Sequence, residues 1–238
     1  MNGQAYYAYQ SMARGLTSTA AVEAEVDAVS QVYRHILPPW LPDDRGAAIY
    51  EVACGTGIML RYLKRQGFTR ISGSDSAPGQ IELARAGGLN VVQADSLQEL
   101  ARHTEAGWDR IIAIDFIEHL PKDALIEFFA QAYRNLKPGG CLILRAPNGD
   151  SPFVGLNLFN DITHYWAYTT VATRALLNMA GFARVEFKDE SLAGLRHHRW
   201  LKVPLMKLSQ ALLRFVIRSA AREYVGYFSS SIYVAAWK

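Results

Sequence analysis

The stretch Ile49–Leu60, IYEVACGTGIML, decides how the rest of the chain is read. A short apolar run meets two glycines one residue apart, and a second apolar run with helical spacing follows. Glycine lets the backbone turn tightly or lets a ligand approach it closely. A helix starting directly after such a turn offers unpaired N–H groups to an anionic or carboxylate group. The stretch therefore predicts strand, glycine loop and helix, with a ligand above the loop.

Working outward, strand and helix patterns alternate. The β-rich runs are AAIYEVA, RISGSD, NVVQAD, WDRIIAID and CLILRAP, and between them lie GIMLRYLKRQG, PGQIELARAGG, SLQELARHTEAG and KDALIEFFAQAYRNLKPGG. This rhythm predicts a parallel sheet covered by helices on both faces, with right-handed crossovers. Upstream, Val22, Val26, Val29, Val32, Tyr33 and Ile36 recur at threes and fours, which predicts a helix over 20–37. Asp75, Asp95 and Asp115 close three of the strands. Ligands of open α/β sheets sit beyond those strand ends, so the three acids point to one shared crevice.

After Pro147 the rhythm stops. The stretch NGDSPFVGLNLFNDITHYWAY is long, aromatic and polar, as a lid or binding loop is. A helix closed by Gly181 follows, then ARVEFKDE and SSSIYVAAWK as two final strands. Between these lies a basic, apolar insertion carrying Arg196, Arg199, Lys202, Lys207, Arg214, Arg218 and Arg222, with Leu205, Leu208, Leu212, Phe215 and Val216 at helical spacing. Such a segment packs on the sheet, which is the expectation here, or forms a dimer face, or lies on an anionic membrane. The whole reads as one domain: a helical cap over 1–46, a core over 47–190, the insertion over 191–225 and a last strand over 226–238.

The 238 residues suffice for one substantial core. A net charge of +3 does not argue for nucleic acid, and the core carries no basic stripe. Cys54 and Cys141 lie far apart without metal-ligand spacing, which fits a reducing compartment. No apolar run approaches the ~18 residues of a bilayer span, and the first residues carry no secretory pattern. The expected location is the cytoplasm, with contact at the inner membrane face as an option for 196–222.

The glycine loop admits three readings. A dinucleotide fingerprint would place a third glycine where Leu60 stands. A bare turn would need no acids at the neighbouring strand ends. A nucleoside site uses them: Asp75 can accept from both ribose hydroxyls, and Asp95 from an adenine amino group. In EVACGTG, GSD, QADS, AIDFIEHLP, LKPGG and AGF, spread in order over 49–182, the chain resembles the class I S-adenosylmethionine-dependent methyltransferases, with Ala53 standing where that family's first glycine is usual. The resemblance implies a Rossmann-like, doubly wound, seven-stranded α/β sheet whose last strand is antiparallel, with N-terminal helices and a helical insertion between the last two strands. It implies S-adenosylmethionine as methyl donor and S-adenosylhomocysteine as product. Glu51, Ala53, Gly55 and Gly57 would hold the methionine part, Asp75 and Ser76 the ribose, and Asp95, Ser96 and Leu97 the adenine. Asp115 and Phe116 would line the methionine side, and Tyr7 and Arg14, with Tyr6, would close the pocket.

Methyl transfer from a sulfonium needs an aligned acceptor and, for a hydroxyl, a base. His119, past the fourth strand, and His164, in the lid three residues after Asp161, are the candidates, with Asp161 orienting a ring. DFIEHLP also resembles the corresponding segment of ubiquinone-pathway O-methyltransferases, which opens a minor reading in which Asp115, Glu118 and His119 hold a divalent metal. His103 is expected in solvent, and Cys54 as a small filler. NDITHYWAYTTVATRALLNMAGF resembles bacterial methyltransferases of sugar and surface-polysaccharide pathways. The acceptor expected first is therefore a hydroxyl on a sugar, glycan or lipid-linked intermediate. A quinone, phenol or amine stacked on lid aromatics is the alternative, and a non-catalytic cofactor-binding subunit stays open.

Overall fold

A computed structural model of the chain describes residues 15–103, 106–190, 202–221 and 226–238. Tyr6, Tyr7 and Arg14, and Arg196, Arg199 and Arg222 of the insertion, lie outside the described residues.

Seven strands form one sheet in the order β3-β2-β1-β4-β5-β7-β6. They are β1 (Ala48–Val52), β2 (Arg70–Asp75), β3 (Val91–Gln93), β4 (Trp108–Ile114), β5 (Leu136–Pro147), β6 (Arg184–Asp189) and β7 (Ser231–Trp237). Pairings among β1 to β5 are parallel, whereas β7 runs antiparallel to both β5 and β6. The order reverses between β1 and β4, where neighbouring crossovers leave to opposite faces and open a crevice.

The helices are α1 (Thr19–Ile36), α2 (Ile58–Arg65), α3 (Pro78–Ala86), α4 (Ser96–Arg102), α5 (Lys122–Asn135), α6 (Gly155–Leu158), α7 (Thr170–Met179) and α8 (Lys202–Ala221). One core joins α1, α2 and α3 to the sheet through Val26, Trp40, Leu60, Tyr62 and Ile81. The other joins α4, α5 and α7 to the opposite face through Leu100, Phe128, Phe129 and Leu177. Continuous burial of β1 on both faces explains its run of apolar residues. Ion pairs fasten α1 to α2: the buried Arg61 pairs with Glu23 and also donates to the Leu83 carbonyl at 2.7 Å, and Arg65 pairs with Glu23 and, at 2.6 Å, with Asp27.

Two elements differ from the pattern reading. LKPGG belongs to β5 rather than to the preceding helix, because a bulge between the pairs Trp108–Leu136 and Arg110–Cys141 accommodates Pro138 and the positive φ of Gly139. α8 lies between β6 and β7 as expected, but packing on the body uses its other side. Leu205, Leu208, Leu212, Phe215 and Val216 all face outward, and the contact is made through Arg214, which stacks 4.7 Å over Phe228 and donates to the Gly226 carbonyl. Among the described residues, no helix is long and apolar enough to cross a membrane.

Candidate active site

A cavity of about 1120 Å³ opens at the switch point. Its floor is the glycine loop. Ala53 and Gly55 take left-handed φ of 53° and 54°, and Gly57, at 78°, starts α2. The first position explains the glycine that the family prefers there, since a Cβ costs roughly 1 kcal/mol in this region. A Cβ on Gly55 would lie 2.7 Å from Gln80 Oε1, and one on Gly57 would lie 2.2 Å from Leu89 Cδ1. Both of these atoms end flexible side chains that can shift, so it is the positive φ that makes a side chain costly at these two positions.

The strand-end acids Asp75, Asp95 and Asp115 line one cavity, the shared crevice expected, and each has its own partners. Asp75 accepts from the Gly55 N–H at 2.9 Å and from the Ala77 N–H at 2.8 Å. Its carboxyl is raised above the usual range by burial, against the pull of these N–H groups. Ser76 lies beside it on the wall. Asp95 caps α4, accepting from Leu97 and Gln98 N–H groups at 3.1 and 2.9 Å. Ser96 accepts from the Ala53 N–H at 3.1 Å, so its hydroxyl holds the loop, while Leu97 completes that side of the cavity. Glu51 lies beneath, fully enclosed. Burial, then the charge of Asp75, pushes its carboxyl well above the usual range, and its Oε2 has no hydrogen-bond partner among the described residues.

Past β4, Asp115 also takes a left-handed φ, 51°. Arg145 of β5 holds its carboxylate, with Nη1 at 2.6 Å from Oδ1, and reaches Glu190 with Nη2 at 3.2 Å. Burial opposes the guanidinium charge, but Asp115 and Glu190 raise its pKa well above the usual value. Phe116 lines the cavity nearby and packs edge-on against Phe128.

The lid starts and ends together: Asn148 bridges to Tyr168, closing a loop over 149–167. It is fastened to the turn after β4 by Tyr165 N–H donating to the Glu118 carbonyl at 2.8 Å and Tyr168 Oη to that of Ile117 at 3.1 Å. This brings His119, Asp161 and His164 together. The two rings lie 4.7 Å apart, and His164 Nε2 is 3.9 Å from both Asp161 Oδ2 and Glu118 Oε1, beyond hydrogen-bonding range. Asp161 does orient a ring, but the ring is His119 and the link is Thr163. The Thr163 hydroxyl donates its one proton to Asp161 Oδ1 at 2.6 Å, so it accepts from His119 Nδ1 at 2.9 Å. His164 Nδ1 faces the Leu158 carbonyl at 3.2 Å and must donate to it. In the tautomers that these partners select, the lone pair of each ring lies on Nε2. Burial, then His164, holds the His119 pKa below the ordinary imidazole value, against the opposite pull of Asp161.

Glu118, His119 and His164 each present a ligand atom within 4.8 Å of the others, so the two rings and a carboxylate can hold a divalent cation. His164 replaces Asp115 of the expected set, because Asp115 is engaged by Arg145. Burial, then Asp115, raises the Glu118 carboxyl well above its usual range.

Other expectations change. His103 is half-buried against Tyr50 and Trp108 rather than in solvent. The lid aromatics Phe159, Tyr165 and Trp166 face outward, and Asn157 and Asn160 face the cavity. Among the described residues, the benzene-type rings that line it are Tyr33 of α1, Phe116 and Tyr233 of β7. Tyr33, Tyr233, Arg145, Glu190 and Thr163 were not expected in the site. The one signal for any of them was a lone arginine inside the apolar run of β5. Cys54 is buried filler, with its thiol pKa raised by burial and then by Glu51.

A glycine loop held at positive φ and carrying no cation, and a buried carboxylate oxygen without a partner among the described residues, fit a cationic nucleoside with an amino-acid tail. The fold and site are those of an S-adenosylmethionine-dependent methyl-transferring enzyme. A model of the methyltransferase domain family matches residues 27–186, and the chain belongs to the class I S-adenosylmethionine-dependent methyltransferases. It is 32% identical over 173 residues to a ubiquinone biosynthesis O-methyltransferase of Xanthomonas oryzae pv. oryzae (strain PXO99A), covering 66% of this chain and 70% of that one. A protein of the same description from Xylella fastidiosa (strain 9a5c) is 33% identical over 108 residues, 43% of each chain. A methyltransferase structure from Archaeoglobus fulgidus superposes with a TM-score of 0.70 at 20% identity over 90% of this chain and 94% of that one, a likeness of fold.

Proposed function

We propose that the enzyme methylates a hydroxyl on a small planar ring, a phenol or quinol, with His119 as the base. The observation that carries the base is the Asp161–Thr163–His119 chain, which leaves the Nε2 lone pair to accept a proton. The lowered pKa keeps the ring neutral near pH 7. The ring-type acceptor is supported by the quinone-pathway relatives and by Tyr33, Phe116 and Tyr233 on the cavity wall. It replaces the sugar hydroxyl as the first choice.

S-adenosylmethionine supplies an electrophilic methyl group on a sulfonium. Glu51, the loop at Ala53–Gly57, Asp75 and Asp95 would hold it. Asp115, fixed by Arg145, lines the same cavity as the loop and the histidines. Lid and post-β4 turn would border the acceptor side. A sugar hydroxyl is the second reading, favoured by the amides of Asn157 and Asn160 on the lining.

The test is methyl incorporation from labelled S-adenosylmethionine into a panel of catechols, quinols, sugars and amines. Catechol or quinol products, lost in His119→Gln while S-adenosylhomocysteine binding persists, are expected. Products from sugars alone would overturn the reading. Loss of activity on chelation, with recovery on adding Mg²⁺, would transfer the role of His119 to a metal ligand.

A further inference from the structure

Among the described residues, α8 and the lid carry apolar side chains that no neighbour covers. At 100° per residue, Leu205, Leu208, Leu212, Phe215 and Val216 of α8 fall within about 100° of arc. All are at least half exposed, Phe215 at 69%. The opposite side, with Val203, Met206, Leu213 and Ile217, is half-buried. The lid repeats the pattern: Asn157, Asn160 and Asp161 line the cavity, whereas Leu156, Phe159 and Ile162 are 74%, 82% and 83% exposed. The two segments share an anchor. Arg214 stacks on the Phe228 ring, and Ser151 at the lid's root donates to the Phe228 carbonyl at 2.9 Å.

Charge selects the partner. α8 carries Lys202, Lys207 and Arg218 beside the body-facing Arg214, and no acid over 202–221; of the two carboxylates of the lid loop over 149–167, Asp150 accepts from the Thr170 N–H at 2.9 Å and Asp161 is buried. A two-fold contact with a second copy would set these cations against themselves with no acid to meet them. An anionic bilayer supplies hydrocarbon for the stripe and negative headgroups for its flanks.

We propose that α8 and the outer face of the lid dock together on an anionic phospholipid bilayer, leaving the lid between lipid and cavity. An acceptor ring bearing an apolar chain would then reach the site from the lipid side. That consequence rests on the function proposed above; the docking does not.

The test uses the full chain with vesicles of phosphatidylcholine alone, or mixed with phosphatidylglycerol. Sedimentation with the mixed vesicles only, abolished at about 1 M salt, is expected. Each headgroup-facing cation is worth about fivefold in partitioning, so Lys207→Gln with Arg218→Gln should weaken binding roughly 25-fold. Leu208→Glu with Phe215→Glu should abolish it, and both double variants should keep wild-type affinity for S-adenosylhomocysteine. Docking in a protein that fails to bind S-adenosylhomocysteine would sink the enzyme reading and leave this one standing. No sedimentation, equal sedimentation with neutral vesicles, or a dimer that Leu208→Glu with Phe215→Glu dissociates would overturn the proposal.

Discussion

A hydroxyl has one proton, and at Thr163 that proton goes to Asp161. The residue therefore sets the tautomer of His119 without touching an acceptor. Thr163→Val removes the oxygen that receives Nδ1–H, so kcat should fall about tenfold with KM little changed, and Thr163→Ser should restore it. Steady-state kinetics of the two variants check this; equal loss in both would assign Thr163 to packing alone. Glu51 allows a prediction from pH. Its carboxyl is raised by burial and then by Asp75, so it holds a proton above the usual range in the free protein. A cation bound in the cavity favours the ionised form and lowers that value. Affinity for S-adenosylmethionine should thus rise with pH between the bound and free pKa values and level off above the latter. Calorimetry from about pH 5 to 8 measures the slope, and Glu51→Gln should flatten it.

At the scale of elements, α1 is both clamp and wall. Val29, Val32 and Tyr33 line the cavity, and the helix is fastened to α2 by Arg61 and Arg65. Arg61→Ala removes a buried guanidinium and leaves Glu23 and the Leu83 carbonyl without it. The expected cost is about 2 kcal/mol, with weaker cofactor binding, read by urea unfolding and calorimetry. An unchanged affinity would show that α1 holds its place without the clamp. The strands and most helices were legible because each announces itself locally: alternation or apolar runs for β1–β7, threes and fours for α1, α5 and α7. The start of β5 was not, since a bulge depends on the partner strand. The outward face of α8 was not legible either, because a periodic apolar stripe looks the same whether it meets the body or the surroundings.

For the whole molecule, a ligand that binds only the folded chain stabilises it by mass action. S-adenosylhomocysteine at about a hundredfold excess over Kd should add about 2.7 kcal/mol, raising Tm by roughly 5–10 °C. NAD should leave Tm unchanged, because the glycine loop has neither the third glycine nor a phosphate-binding cation. A shift with NAD and none with the methyl-donor product would reverse the assignment.

The sequence by itself determined a parallel α/β sheet and one shared crevice, because strand-end acids and a glycine loop in an α/β rhythm lie at one edge. The doubly wound seven-stranded order and the cofactor class came through the resemblance that EVACGTG, GSD and QADS carry. Only the tertiary structure decided which groups share the acceptor side. Arg145 meets Asp115 and Glu190 because β4, β5 and β6 end together, and Thr163 reaches His119 because the lid folds back on the turn after β4. Such contacts join residues tens of positions apart, and spacing along a chain carries no record of which distant segments the packing brings face to face.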